Sequence, residues 1–538
     1  MKNELSKIVD EVLEPYPAKT YKKRKEHIVI KTEEDPNPVI TANVRTVPGV
    51  ITSRGCCYAG CKGVVMGPIK DMVHITHGPV GCAFYTWGGR RFKSKPKEGG
   101  QNFNEYVFGT DLQEKNIVFG GADKLQKAID EAIEIFHPKA VGVYATCPVG
   151  LIGDDIQAVA AASRKKYGIP ILAFNCEGYK GVTQSAGHHI ANNTVMNDII
   201  GTGKGEHKKY SINLLGEYNI GGDSWEIERI LNKIGYTVSA TLTGDASYGD
   251  IQNSNLADVN LVQCYRSINY IANMMETKYG IPWIKCNFIG IQGTIDTLRE
   301  LAKVFDDPDL YKRTEAVIAE EIGEIEDDIN YYRERLEGKV ACLYVGGSRA
   351  QTYQVLLEDL GIKTILAGHE FGHRDDYEGS EVIPTIKMDA DTKNIPEITV
   401  HKDEEKYRVI IPEERAEVLK SEGVPLNYYG GLEKQMDNNT VIIDDINGHE
   451  LESFIKRLHP DMFLTGVKEK YVIEKMGVLS RQLHSYDYTG PYAGFKGAVI
   501  FARELARGVY TPAWKYLTPP WKKQPLLDGK VAVSGGEK

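Results

Sequence analysis

Short apolar runs recur along the chain, each closed by Gly, Pro or Asp, and between them lie stretches whose apolar residues return every three or four positions. That alternation predicts strand–helix–strand units and hence parallel sheets. The period over Ala122 to Phe136 predicts a helix, followed by a strand, AVGVYATC, that ends on Cys147. Pro148 and Gly150 break the chain, and IGDDIQAVAAASRKKYG reads as a helix with Asp154 and Asp155 in its first turn, where carboxylates suit the helix dipole. IPILAFNC is the next strand. The rhythm repeats from about Tyr210: SINLLGEYN, YTVSATLTG, DVNLVQC and IPWIKCNFIG read as strands, spaced by SWEIERILNKIG and SINYIANMMETKYG, with Cys264 closing the third strand. A charged helical stretch over Pro308 to Leu336 leads to a third set, KVACLYVGG, KTILAGHEF, TVIIDDIN, DMFLTG and VLSRQLHS, and His484 lies just beyond it.

The expected class is therefore α/β, with three successive parallel-sheet units meeting at one deep site, since loops beyond strand C-termini are where such folds bind ligands. The expected boundaries are an N-terminal arm at 1–45, lying over another surface, then units at 46–208, 209–338 and 339–505, and a tail at 506–538. Within the third unit, residues 377–439 lack the rhythm and read as a small inserted surface subdomain with some local strands. In the tail, Trp514 and Trp521 stand among prolines, a pattern suited to packing on a neighbouring subunit or back on the chain itself.

At 538 residues the chain is too long for one core. With 42% apolar and 26% charged residues, and no apolar run near the ~20 residues of a membrane span, it reads as a soluble protein with no membrane partner. The charged N-terminus carries no secretory signal, so a cytoplasmic location is expected. A net charge of −9 argues against nucleic acid as the partner. Nine cysteines without a signal peptide argue against a disulfide framework, and none forms a C-x-x-C pair, so any metal cluster would draw its thiolates from distant positions.

Candidate chemistry concentrates in RGCCYAGCKGVVMGPIKDMVHITHGPVGCAFYTWGGRR, residues 54 to 91. Its glycines at 55, 60, 63, 67, 78 and 81 are expected to supply left-handed turns and close approach, with Cys56 and Cys82 offering thiolates beside them. A soft anionic inorganic ligand suits that better than a nucleotide. One cysteine at a strand end is more often a small buried hydrophobe than a ligand; Cys56, Cys82 and Cys147 gain weight as a group. Cys57, Cys61, Cys176, Cys286 and Cys342 read as core. Cys264 is followed by Tyr265, Arg266 and Ser267, placing thiolate, cation and hydroxyl at one helix N-terminus, where an anion is favoured. In TQSAGHHIANN, Gln184 and His188 share a helix face, whereas His189 points elsewhere. Arg90, Arg349, Lys468 and His484 complete the set; each alone is more often a solvated charge or a satisfied histidine, and Phe371 reads as core. There is no P-loop and no G-x-S-x-G elbow, so nucleotide hydrolysis would occur on another protein. Asp154 and Asp155 are better explained as helix N-terminal charges on an exposed loop than as an acid pair.

Together RGCCYAGCKGVVMGPIKDMVHITHGPVGC, TCPVGLIGDDI, CEGYKGVTQSAGHHIANN, NLVQCYRSINYI, LYVGGSR and HSYDYTGPYAGFKG resemble the alpha-chain family of nitrogenase molybdenum-iron proteins, from about Ile28 to Tyr516. The resemblance implies three Rossmann-like domains around a central buried metallocluster, in an α2β2 assembly with a homologous beta chain. It implies that Cys56, Cys82 and Cys147 bind an 8Fe-7S P-cluster shared with that chain, and that Cys264 and His484 are the two protein ligands of an iron-molybdenum cofactor. Gln184 and Lys468 then match residues contacting its homocitrate and His188 a donor to a bridging sulfide. Arg90 and Arg349 match cations around it, Val64 the side chain screening the reactive iron face, and Arg266, Ser267, Gly346 and Gly347 further cofactor-binding positions. The implied activity is reduction of dinitrogen and protons to ammonia and dihydrogen. Electrons would arrive singly from an ATP-hydrolysing iron protein homodimer docked over residues 147 to 155.

The chain departs from many relatives in carrying Tyr486 where they have Trp, a wedge whose hydroxyl needs a partner. Three other readings stay open: a scaffold on which the cofactor is built, an alternative nitrogenase using vanadium or iron alone, and more distantly a dark-operative tetrapyrrole reductase. The pairing of Cys264 with HSYD and the TQSAGHH donors weigh against the scaffold.

Overall fold

Two helices, Lys2–Leu13 and Ala18–Lys25, precede a short strand, Ile28–Lys31 (β1). Expected as an arm, this segment instead contributes to a sheet formed far along the chain. The computed structural model describes residues 2–36, 38–42, 55–89, 94–95, 100–180, 184–346, 349–370, 372–385, 395, 398–431, 437–466 and 468–517. Arg90, Gly347, Phe371 and Trp521 lie outside the described residues.

The first sheet takes Met72–His77 (β2), Phe108–Gly109 (β3), Ala140–Ala145 (β4) and Ile171–Phe174 (β5) in the order β3-β2-β4-β5, all parallel. Every residue of β2 and β4 is buried, as for central parallel strands covered on both faces. The second sheet takes Ser211–Glu217 (β6), Thr237–Thr243 (β7), Val259–Val262 (β8) and Trp283–Lys285 (β9) in the order β7-β6-β8-β9, again parallel. Helix Pro308–Leu336 leads to the third sheet. It is built from Val340–Gly346 (β10), Lys363–Glu370 (β11), Thr440–Asp444 (β12), Met462–Thr465 (β13) and Leu479–Gln482 (β14), ordered β1-β12-β11-β10-β13-β14 with only β1 antiparallel. The fold is mixed α/β on parallel sheets, as expected. One continuous apolar core takes residues from all three units, Met66, Leu214 and Leu343 among them.

The Gly-rich stretch folds differently from the turns expected of it. Ala59–Met66 is a π-helix, and Gly60, Gly63, Gly67, Gly78 and Gly81 do not adopt left-handed backbone. The glycines serve close approach instead. A Cβ on Gly60 would meet the Gln184 carbonyl oxygen at 2.0 Å, and one on Gly187 would meet the Cys57 carbonyl oxygen at 1.9 Å. The π-helix and helix Gln184–Thr194 thus touch backbone to backbone.

Between β11 and β12 no strand occurs among the described residues; the segment there forms helices Arg374–Glu378 and Glu413–Ser421 with connecting loops. It lies against the second sheet. Asn427 donates its backbone N–H to the Trp283 carbonyl at 2.8 Å and accepts from the Trp283 amide at 2.9 Å, so the free edge at β9 is covered. Trp514 is half-buried on its own chain and donates to the Gly508 carbonyl at 2.6 Å.

Candidate functional site

Two groups of candidate residues emerge, one at the surface of the first unit and one among all three. Cys147 does not end its strand: β4 stops at Ala145 and Cys147 opens helix Cys147–Ile152. Cys82 lies in helix Val80–Gly88, and Cys56 stands just before the π-helix. The fold gathers the three. A Cβ on Gly178 would fall 2.8 Å from Cys147 Sγ and 3.9 Å from Cys56 Sγ, while burial and the neighbouring thiols of Cys56 and Cys147 push the Cys82 thiol pKa up. Cys56 and Cys147 are exposed and Cys82 is half-buried. Large apolar side chains face water beside them, with Tyr85 81% and Leu151 79% exposed. Cys57, Cys61 and Cys176 are buried beneath.

Asp154 is not the exposed helix charge expected of it. Its side chain lies 3.0 Å from Nε2 of buried His77 and accepts the Gly121 N–H, while Asp155 alone caps helix Ile156–Tyr167 by accepting from the Ala158 amide at 3.0 Å. The Thr146 hydroxyl donates to the His77 carbonyl at 2.8 Å. The turn that presents Cys147 is therefore fastened from below.

The second group surrounds Cys264, which caps the N-terminus of helix Tyr265–Tyr279 two residues beyond β8 and not at its end. Gly216, at φ +73°, leaves space there: a Cβ on it would crowd the Cys264 N, O and Cβ atoms at 2.9 to 3.0 Å. Arg349 opens helix Arg349–Asp359 and is 8% exposed. Burial opposes its charge, yet Tyr486, Tyr353, Glu217 and Cys264 around it hold the guanidinium pKa well above the usual arginine range. It donates to the Tyr486 hydroxyl at 3.2 Å, so one cation reaches toward Cys264 and toward the loop carrying His484. His484 follows β14, with Nε2 3.8 Å from a Glu370 oxygen; Lys468 Nζ lies 3.9 Å from the other. Gly466 abuts the His484 ring, where a Cβ would stand 3.2 Å from Nδ1.

Helix Gln184–Thr194 runs between the two groups. The Gln184 side chain lies against Gly55, beside Cys56, and His188 is buried four residues on, its pKa lowered to about 3 by burial with help from the Arg266 charge. The imidazole is therefore neutral. His189 stacks obliquely on Tyr270 at 4.8 Å. Val64 is half-buried on the π-helix and Gly346 is buried at the end of β10.

Arg266 carries its own counter-charges. It donates to Asp375 at 2.8 Å and to Asp376 at 3.2 Å, all three side chains essentially buried, while Ser267 Oγ donates back to the Cys264 carbonyl at 3.1 Å. The cation and hydroxyl expected beside Cys264 both have partners within the chain. Sequence reasoning missed Asp375, Asp376, Glu370, Glu217 and Asp223. The acidic pair in HRDD and the GGD turn after β6 were the available signals. Glu217 is fully buried, and burial followed by the charge of Asp223 raises its pKa to about 7.

Among the described residues no three His, Cys, Asp or Glu side chains converge on a point fit for a single ion. Three splayed thiols on one face, and a thiol and an imidazole on different sheets, suit bodies larger than one ion. The glycines at 178, 216 and 466 leave room where a side chain would obstruct those ligands. The sequence pattern of the nitrogenase component 1 type oxidoreductases matches residues 56–510. The chain belongs to that family. It is 69% identical to the nitrogenase molybdenum-iron protein alpha chain of Clostridium pasteurianum over 98% of each chain. To the corresponding alpha chain of Methanosarcina barkeri it is 49% identical, over 96% of this chain and 97% of that one. Among solved structures, nitrogenase Cp1 at pH 6.5 matches with a TM-score of 0.93 at 70% identity, covering 96% of this chain and all of the other. Cys56, Cys82, Cys147, Cys264 and His484 all fall inside the family match.

Proposed function

We propose that this chain is the catalytic alpha subunit of a molybdenum nitrogenase, working in an α2β2 assembly with a beta chain and reducing dinitrogen and protons to ammonia and dihydrogen. Its electron donor would be an ATP-hydrolysing iron protein homodimer docking over residues 147 to 155, in the cytoplasm. The observation that supports the reading is the family match over residues 56–510, which contains Cys264 and His484, together with buried Arg349, which feels Cys264 and donates to Tyr486 in the loop that carries His484.

Cys264 and His484 would hold an iron-molybdenum cofactor with homocitrate, and Cys56, Cys82 and Cys147, with thiolates of the beta chain, would hold a P-cluster; bound there, these groups would supply electron-transfer and multi-electron reduction chemistry. Two ligands fix a large body poorly, so neighbouring side chains must orient it. Arg349, with Arg90, balances an anionic cluster in a low-dielectric setting. His188, kept neutral by burial, presents an N–H to the cluster without adding charge. Lys468, 48% exposed at its side chain and leaning toward Glu370, and Gln184, between the two groups, hold the homocitrate. Val64 shields the reacting face; Gly346 and Gly347 let the backbone come close, with Arg266 and Ser267 behind Cys264.

Metal analysis of the purified assembly, wild type against Cys264→Ala and His484→Ala, tests this. Molybdenum is expected in the wild type and lost more than about tenfold in both variants, iron at the surface thiols remaining, with ammonia formation from labelled dinitrogen lost in parallel. Vanadium or iron alone in the wild type, or molybdenum retained in both variants, would overturn it.

A further inference from the structure

The loop bearing His484 is held in an unusual shape. Tyr486, Asp487 and Tyr488 all adopt left-handed backbone, at φ 53°, 51° and 64°, which bulky residues take only when the surroundings enforce it. Asp487 is fastened within its own unit, accepting from Lys470 at 2.7 Å and Arg481 at 3.3 Å. Tyr486 is fastened to a different one. Its hydroxyl donates to Asp223 Oδ2 at 2.5 Å, and the other Asp223 oxygen accepts the Tyr492 and Ala493 amides at 2.7 and 3.0 Å. The Tyr486 ring stacks on Tyr492 at 4.1 Å and closes on Gly221, where a Cβ would meet Tyr486 Cδ2 at 2.6 Å.

Asp223 opens helix Asp223–Ile234, at the end of the turn that leaves β6, and Gly216, near the end of β6, abuts Cys264. One segment, residues 216 to 223, therefore touches Cys264 at one end and the His484 loop at the other. The Tyr486 hydroxyl also accepts from Arg349. Asp223 is fully buried and meets the loop at three atoms, and removing one partner of a buried hydrogen bond leaves the other unsatisfied away from water.

We propose that Asp223 is a positioning residue, which fixes the separation of His484 from Cys264 and the aim of Arg349 through the Tyr486 hydroxyl and the amides of Tyr492 and Ala493. The inference rests on the reading that Cys264 and His484 hold the cofactor.

The test uses the metal-loaded α2β2 assembly in four variants: Tyr486→Phe, Asp223→Ala, Cys264→Ala, and Leu125→Ala as a destabilised control in the separate core of the first sheet. Amide exchange over residues 485 to 493 and the line positions of the cofactor's paramagnetic spectrum are read, with molybdenum content. Tyr486→Phe and Asp223→Ala are expected to speed exchange there about tenfold or more and to shift the spectrum, while Leu125→Ala does neither. Faster exchange with an unmoved spectrum would make the contact merely structural and overturn the proposal. So would unchanged exchange and spectrum in Tyr486→Phe, which decides the matter if Asp223→Ala fails to assemble. Molybdenum retained in Cys264→Ala would instead overturn the underlying reading.

Discussion

The two groups of candidate residues are built on opposite plans. At the surface group the thiols of Cys56 and Cys147 stand exposed beside uncovered Tyr85 and Leu151, and the buried polar work lies underneath, in the His77–Asp154 contact. In the interior group nearly every charge has an opposite charge within reach: Arg266 with Asp375 and Asp376, Lys468 and His484 near Glu370, Arg349 among Glu217 and Tyr486. The first leaves an apolar rim facing water. The second is finished by this chain, because charges taken out of water must be paired where they lie.

The contrast breaks most sharply where the groups meet. Gly187→Ala would drive a methyl into the Cys57 carbonyl, across the contact that holds the π-helix to the helix of Gln184 and His188. A loss above about 4 kcal/mol in chemical unfolding is expected, with metal lost from both groups. Arg266→Met should disturb the interior alone. It strands Asp375 and Asp376 in the core, costing about 3–5 kcal/mol in the same measurement and lowering molybdenum while iron at the surface thiols persists. The smallest effect belongs to the rim. Tyr85→Ser with Leu151→Ser should change the stability of the isolated chain by no more than about 0.5 kcal/mol each, yet weaken its association with a second chain in sedimentation. A rim variant that assembled normally would remove the case for a shared surface.

Local signals carried the architecture far. The charged period over 308 to 336 is one helix, and the apolar runs of the third set are strands β10 to β14. The segment before β12 makes contacts at the edge of the second sheet, far away in sequence, which no local pattern records. Cys147 and Cys264 lie just beyond their strands, at helix starts, since an apolar run does not mark where hydrogen bonding passes from strand to helix.

The sequence by itself determined the class of fold, the strand and helix segments, and the residue types able to bind soft metal bodies, because these follow from periodicity, chain breakers and donor chemistry within a short window. Only the tertiary structure decided which charges remain available. Arg266 finds its carboxylates 109 and 110 residues away and Tyr486 finds Asp223 across 263. It also decided that Gly60 and Gly187 permit backbone contact between helices, with no left-handed backbone at Gly60. Pairing in a low-dielectric interior depends on distance in space, and no local pattern records that distance.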